Sequence, residues 1–197
     1  MSSLNPIPDL LDALYQGLRA EARGEVATYI PQLAHADPDW FGIALATLDG
    51  HVYEAGDFER TFTIQSVSKP FVYALALAHH GLDEVITRIG VEPSGEAFNA
   101  IRLEPGTGRP PNPMVNSGAI LTTSLVGGPT PAARFEKVRA GLSAFAGREL
   151  TIDEPVYASE AATGDRNRAI AYLMRTAGSL RTDVDETLEV YFRQCAV

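Results

Sequence analysis

Phe62-Thr63-Ile64-Gln65-Ser66-Val67-Ser68-Lys69-Pro70 is the stretch where the chain changes its period. Phe62 and Ile64 alternate with polar neighbours, which predicts a short strand or an extended approach. Beyond it, Val67, Phe71, Ala74, Leu75 and Leu77 recur at helical spacing up to Gly81. Pro70 falls in the first turns of that helix, where its missing N–H costs little. Ser66 then lies at or near the helix start, and Lys69 lies one turn on, along the same face. A hydroxyl and an amine so spaced have the makings of a nucleophile and its base.

The rest of the composition frames that pair. At 197 residues and 45% hydrophobic content the chain is large enough for one domain with a real core. A net charge of −9 with no basic run argues against nucleic acid or an anionic membrane as partner. Cys195 is the only cysteine, so neither an intrachain disulfide nor a thiolate metal cage follows from it. Residues 1–9 lack a basic segment followed by an apolar run, and no apolar stretch is long enough to span a bilayer. The expectation is a cytoplasmic protein without a signal peptide.

Upstream of Ser66, residues 9–22 carry Leu10, Leu11, Leu14, Tyr15 and Leu18 in an amphipathic pattern. Val26, Tyr29, Ile30 and Leu33 form a second short segment, which Asp37-Pro38-Asp39 breaks. The runs 40–48 and 51–55 flank Asp49-Gly50, a hairpin signal because both residues tolerate positive φ. Downstream, residues 83–89 read as helix, and 91–116 as a long ordered loop rich in Pro, Gly and Asn. Further helices are expected from Gly118 to Val126, Pro131 to Ala146, Arg166 to Ala177 and Asp183 to Cys195. Asp183 is placed to cap the last of these, with Glu186 reaching back. Two strands against six or more helices make a helix-rich α/β (α+β) protein with a partial antiparallel sheet. A two-stranded hairpin is marginal alone and needs a cover or more strands.

Four clusters carry candidate chemistry. Ser66-x-x-Lys69 is the pattern of serine acyl-transfer enzymes, in which a neutral lysine takes the hydroxyl proton. Burial and the positive end of a helix dipole both favour that neutral form. As a bare pattern it is weak, since a serine at a helix start is commonly a cap. Ser68 competes as nucleophile but adjoins Lys69 and faces elsewhere. The second cluster is Asn112-Pro113-Met114-Val115-Asn116-Ser117-Gly118-Ala119-Ile120, the third is Ser159-Glu160 with Gly164-Asp165-Arg166-Asn167-Arg168, and the fourth is Tyr191-Phe192-Arg193-Gln194-Cys195. Taken singly, each has a plain structural meaning: a loop-to-helix cap, a turn with Asp165 capping the next helix, and a core stripe. His79-His80 closes the Ser66 helix, a favourable place for imidazoles. No metal is assigned, and Gly-x-Ser-x-Gly, His-Glu-x-x-His and Gly-rich phosphate loops are absent from the sequence.

In combination, these blocks resemble the serine-dependent glutaminase family, which shares the β-lactamase-like fold. The matching segments are 28–34, 62–69, Glu92-Pro93-Ser94-Gly95 with Phe98-Asn99, 112–120, 157–167 and 191–195, in the family's order along nearly the whole chain. The resemblance implies hydrolysis of L-glutamine to L-glutamate and ammonia, with Ser66 as nucleophile, Lys69 as base and no cofactor. It implies a substrate pocket of Tyr29, Gln65, Ser66, Asn116, Glu160, Asn167 and Tyr191. Glu160 suits the substrate's α-ammonium, and amide and phenol donors suit its α-carboxylate. Self-association into a homo-oligomer is a further implication. The family's domain also continues beyond the point where this sequence stops, with a second tyrosine near the nucleophile and a Lys-Ser-Gly-containing strand that adds an oxyanion donor. The chain is therefore expected to be one incomplete domain over 1–197. Residues 1–65 would hold the N-terminal helices and hairpin, and 66–197 the nucleophile helix and helical region, with part of the hairpin left uncovered.

Two alternatives stand beside this reading. One is a truncated, catalytically impaired relative serving as a binding or regulatory module. The other is a different Ser-x-x-Lys acyl hydrolase of the penicillin-recognising type, which Glu160 disfavours.

Overall fold

The computed structural model describes residues 5–21, 23–95 and 97–197. The chain divides into two compact units, residues 1–62 and 63–197.

In the first unit α1 spans Ile7–Leu18, and β1 (Gly42–Ala46) pairs antiparallel with β2 (Val52–Gly56). The Asn5 side chain accepts from the Ile7 N–H at 3.1 Å, satisfying one free donor at the helix start. Apolar positions of α1 turn toward the hairpin, and Tyr15 stacks on Phe41 with ring centroids 5.7 Å apart. Gly56, at φ +73°, is required here, because a Cβ would run into the Tyr15 ring and the Phe41 carbonyl. The strands pair from Gly42↔Gly56 to Ala46↔Val52. Between them the Thr47 N–H donates to the His51 carbonyl at 2.9 Å. The expected Asp-Gly turn is thus present as the tip of a longer loop, with Gly50 at φ +88°. A 3-10 turn, Pro31–His35, completes the regular structure described in this unit. Leu11 and Ile30 are its buried apolar side chains among the described residues, while Leu10, Leu14, Trp40, Leu45, Val52 and Phe62 are exposed.

The second unit is helical. A 3-10 turn, Gln65–Val67, runs into α2 (Ser68–His80); α3 (Leu82–Arg88), α4 (Asn116–Leu125), α5 (Pro131–Ala146), α6 (Glu154–Thr163), α7 (Asp165–Thr176) and α8 (Val184–Cys195) follow. α4 and α8 form the centre: α2 and α7 pack on α4, and α4, α5, α6 and α7 pack on α8. Nine of the ten α4 residues are buried. The helix tolerates this because Thr122 and Thr123 return their hydroxyls to the Gly118 and Ala119 carbonyls at 2.8 and 3.0 Å. One core cluster joins Ile120, Leu121, Ile170, Met174, Leu188 and Tyr191; a second joins Val72, Phe135, Val138, Leu142 and Val190.

Several expectations change. Residues 62–64 form no strand; Ile64 has helical backbone angles, and its N–H makes a single 2.8 Å bond to the Val197 carbonyl. One backbone bond is not a ladder. α4 begins at Asn116 rather than Gly118, since a helix buried on every side has no apolar stripe to mark its start. α6 was not expected as a separate helix, because only Val156 and Glu160 in it are fully buried. Asp165 is the first residue of α7 and not its cap, a position held by Gly164. Asp183 does cap α8, accepting from the Asp185 and Glu186 N–H groups at 3.0 Å. The Glu186 carboxylate lies 4.0 Å from Arg134.

Candidate active site

The backbone before Ser66 is held in an unusual shape. Gln65 has φ +47°, the only positive φ at a non-glycine among the described residues. A left-handed residue with a long side chain costs energy, and such outliers cluster at working sites. Directly after it Ser66 is exposed, at the last turn before α2. The Gln65 amide donates to Thr63 Oγ1 at 3.0 Å.

Lys69 is 3% exposed. Its Nζ donates to Asn116 Oδ1 at 2.7 Å and to the Met114 carbonyl at 3.0 Å. The Phe98 ring centroid lies 5.4 Å from the same nitrogen. Both hydrogen-bond acceptors are neutral, so they do not repay the loss of water around a charge, and burial brings the ammonium's pKa down to about 8. A lysine in that range has an appreciable neutral fraction near physiological pH, which an ordinary surface lysine lacks.

From Lys69 the hydrogen bonding runs outward. Asn116 Nδ2 donates to Asn167 Oδ1 at 2.9 Å, linking α4 to α7. The orientation of the Asn116 amide is dictated by the ammonium, which only an oxygen can face. Phe98 is tied in by its carbonyl, which accepts from the Asn116 N–H at 2.8 Å, and the adjoining Asn99 carbonyl accepts from Arg166 Nε at 2.8 Å.

Glu160, on α6, is buried, and its Oε2 has no hydrogen-bond partner. Burial holds its carboxyl above the usual range. An unpaired, desolvated carboxylate is costly in the empty protein and is a ready receptor for a cation. On α8, Tyr191 and Cys195 are both buried, four residues apart on one face. The Cys195 thiol lies close enough to feel both Glu160 and Lys69, and burial followed by Glu160 drives its pKa upward. It is a spacer rather than a reactive thiolate.

The second unit therefore holds Gln65, Ser66, Lys69, Asn116, Glu160, Asn167 and Tyr191, with Lys69, Asn116 and Asn167 joined in one hydrogen-bonded run. Tyr29 belongs to the first unit, exposed just ahead of the 3-10 turn. Ser68 is fully buried and donates to the Gln65 carbonyl at 2.7 Å, which removes it as a competing nucleophile. Three participants carried no signal of their role: the Met114 carbonyl is backbone, Cys195 is a lone thiol, and Phe98 was recognisable only as part of a matching segment. Among the described residues no group of three or more His, Cys, Asp or Glu side chains gathers as a metal site, and no helix is long and apolar enough to cross a membrane.

Comparison with known proteins gives the family. The sequence profile described as Glutaminase matches residues 24–197. Glutaminase 2 of Bradyrhizobium diazoefficiens is 57% identical over 192 residues, 98% of this chain and 31% of the relative. A glutaminase of Nostoc sp. is 47% identical over 193 residues, 98% of this chain and 58% of the relative. The crystal structure of Mglu in its glutamate form superposes with a TM-score of 0.92 at 46% identity, over 98% of this chain and 44% of that one. The chain thus spans between about a third and somewhat over half of the curated relatives it matches. With a β-lactamase-like arrangement and a family match over residues 24–197, the chain belongs to the glutaminase family.

Proposed function

We propose that this chain carries the acyl-transfer site of a glutaminase, which hydrolyses L-glutamine to L-glutamate and ammonia. The observation that carries the reading is the buried Lys69 amine, held by two neutral acceptors one turn from the exposed Ser66. In the first step the neutral Lys69 takes the Ser66 proton as Oγ bonds to the side-chain amide carbon. Collapse of the tetrahedral adduct breaks the C–N bond, and Lys69 returns the proton to the leaving nitrogen, so ammonia departs. Water then attacks the acyl-serine, with Lys69 again taking a proton and returning it to Ser66 Oγ. The Ser66 backbone N–H, at the start of the helical turn, is a natural donor to the oxyanion. Glu160 receives the α-ammonium, and Gln65, Asn116, Asn167 and Tyr191 hold the α-carboxylate and orient the chain of the substrate.

The test is ammonia release from glutamine by the purified chain and by Ser66→Ala. Release that depends on Ser66 supports the reading; equal release by Ser66→Ala removes it. One observation favours a second reading: the wide exposure of the hairpin's apolar side chains suits a chain that binds the amino acid but turns it over only when its sheet is extended. Glutamate binding without turnover would select that reading. Residues 1–197 are read here as part of one glutaminase domain, working in the cytoplasm and self-associated. Cell fractionation and light scattering check the last two points.

A further inference from the structure

Behind the nucleophile turn lies a polar chain that the proposed mechanism does not use. Thr123 Oγ1, on α4, approaches Gln194 Oε1 at 2.8 Å while also reaching the Ala119 carbonyl. Gln194 Nε2, on α8, donates to Ser68 Oγ at 3.3 Å. Ser68 Oγ donates to the Gln65 carbonyl at 2.7 Å. Thr123, Gln194 and Ser68 are all completely buried. The Thr123 hydrogen is shared between the Ala119 carbonyl and Gln194 Oε1; with the Gln194 NH₂ donating to Ser68 Oγ, the Ser68 hydrogen goes to the Gln65 carbonyl. The chain ends on the peptide unit that joins the left-handed Gln65 to Ser66.

A glutamine with no solvent contact is expensive in a helical core unless its hydrogen bonds are met. A leucine or methionine would fill the same space. The left-handed conformation of Gln65 has its own cost, and it persists only where its surroundings over-determine it. These two anomalies meet at one carbonyl.

We propose that Ser68 and Gln194, backed by Thr123, are positioning residues for the nucleophile: they hold the Gln65 carbonyl, keep Gln65 left-handed and thereby set the direction of Ser66. They touch neither substrate nor reacting atoms. The inference deepens the acyl-transfer reading above and rests on Ser66 being the nucleophile.

The experiment uses the full chain and the γ-(4-nitrophenyl) ester of L-glutamate. Ser66 Oγ bonds to the ester carbon as the bond to 4-nitrophenolate breaks, and the hydroxyl proton passes to Lys69. Release of nitrophenolate gives the rate, and peptide mass mapping locates the acyl group. Ser68→Ala and Gln194→Met are each expected to slow acylation by about tenfold or more, the cost of a small misplacement of a reacting atom. L-glutamate affinity should fall by less than acylation does, since Gln65 is the one pocket side chain carried on the loosened residue. The double variant should be no slower than Ser68→Ala alone, because both changes cut the same chain. Amide exchange at residues 65–67 should quicken in both single variants, a readout that does not depend on turnover. Unchanged acylation and exchange in the two folded single variants overturn this inference alone. An unreactive wild-type chain, or acylation that persists in Ser66→Ala, overturns the proposed function and this inference with it.

Discussion

Lys69 and Glu160 are two buried ionisable side chains with opposite duties, and each leaves a measurable trace. In the proposed reaction the amine acts as base only when neutral, and desolvation brings its pKa down to about 8. Acylation at low substrate should therefore rise with pH through about 8 and level off above it, as read from a pH–rate profile; Lys69→Arg, always charged, should give no such limb. The same shift has a stability consequence. Lys69 binds its proton more weakly folded than unfolded, so its contribution to stability grows as pH rises from about 8 toward the ordinary lysine value. Glu160 pays for its burial without a partner. Glu160→Gln is expected to raise the stability of the ligand-free chain by about 1 kcal/mol or more, by removing a desolvated charge. The same change should abolish glutamate binding, and calorimetry of both properties on one sample checks the pairing.

At the scale of elements, α4 does two jobs from one surface. Asn116 at its start meets Lys69, and Thr123 two turns on meets Gln194, so a single buried helix reaches both Lys69 and, through Gln194, Ser68. Its close fit depends on Gly118, where any Cβ would collide with the Asn112 carbonyl. Gly118→Ala should cost about 2 kcal/mol, judged from overpacking elsewhere, despite alanine's better helix propensity. Urea unfolding measures it. The sequence announced helices where one face is apolar, as in α1, α5, α7 and α8, because periodicity survives in such faces. It was silent for α6, whose buried face is thin, and it put the start of α4 two residues late, because total burial erases the period. The serine and lysine were legible as a pair. What encloses the lysine, the Met114 carbonyl and a ring contributed by a long loop, was not, since a backbone acceptor leaves no mark on residue type.

Across the whole molecule, burial is uneven. The helical unit has two packed apolar clusters, whereas the hairpin unit buries few of its described apolar side chains. Local stability follows buried contacts. Amides of β1 and β2 should exchange with solvent well ahead of those in α4 and α8, by at least tenfold in a peptide-level exchange experiment. Equal protection would mean that the hairpin is stabilised by more than its own contacts. The family match extends from residue 24 through both units.

The two acceptors on Lys69 have a stereochemical consequence. A neutral primary amine has two hydrogens and one lone pair, and a free one spins about its C–N bond, presenting the lone pair in every direction. Here the Met114 carbonyl and Asn116 Oδ1 claim the two hydrogens. The rotor is stopped at one setting, and the lone pair occupies the single tetrahedral direction left over. A proton accepted there becomes the third hydrogen of the ammonium in the same place, so it can be surrendered along the path by which it arrived. Removing either acceptor would free one hydrogen and let the rotor turn again, and the entropy of re-aligning the amine would then enter the proposed proton transfers.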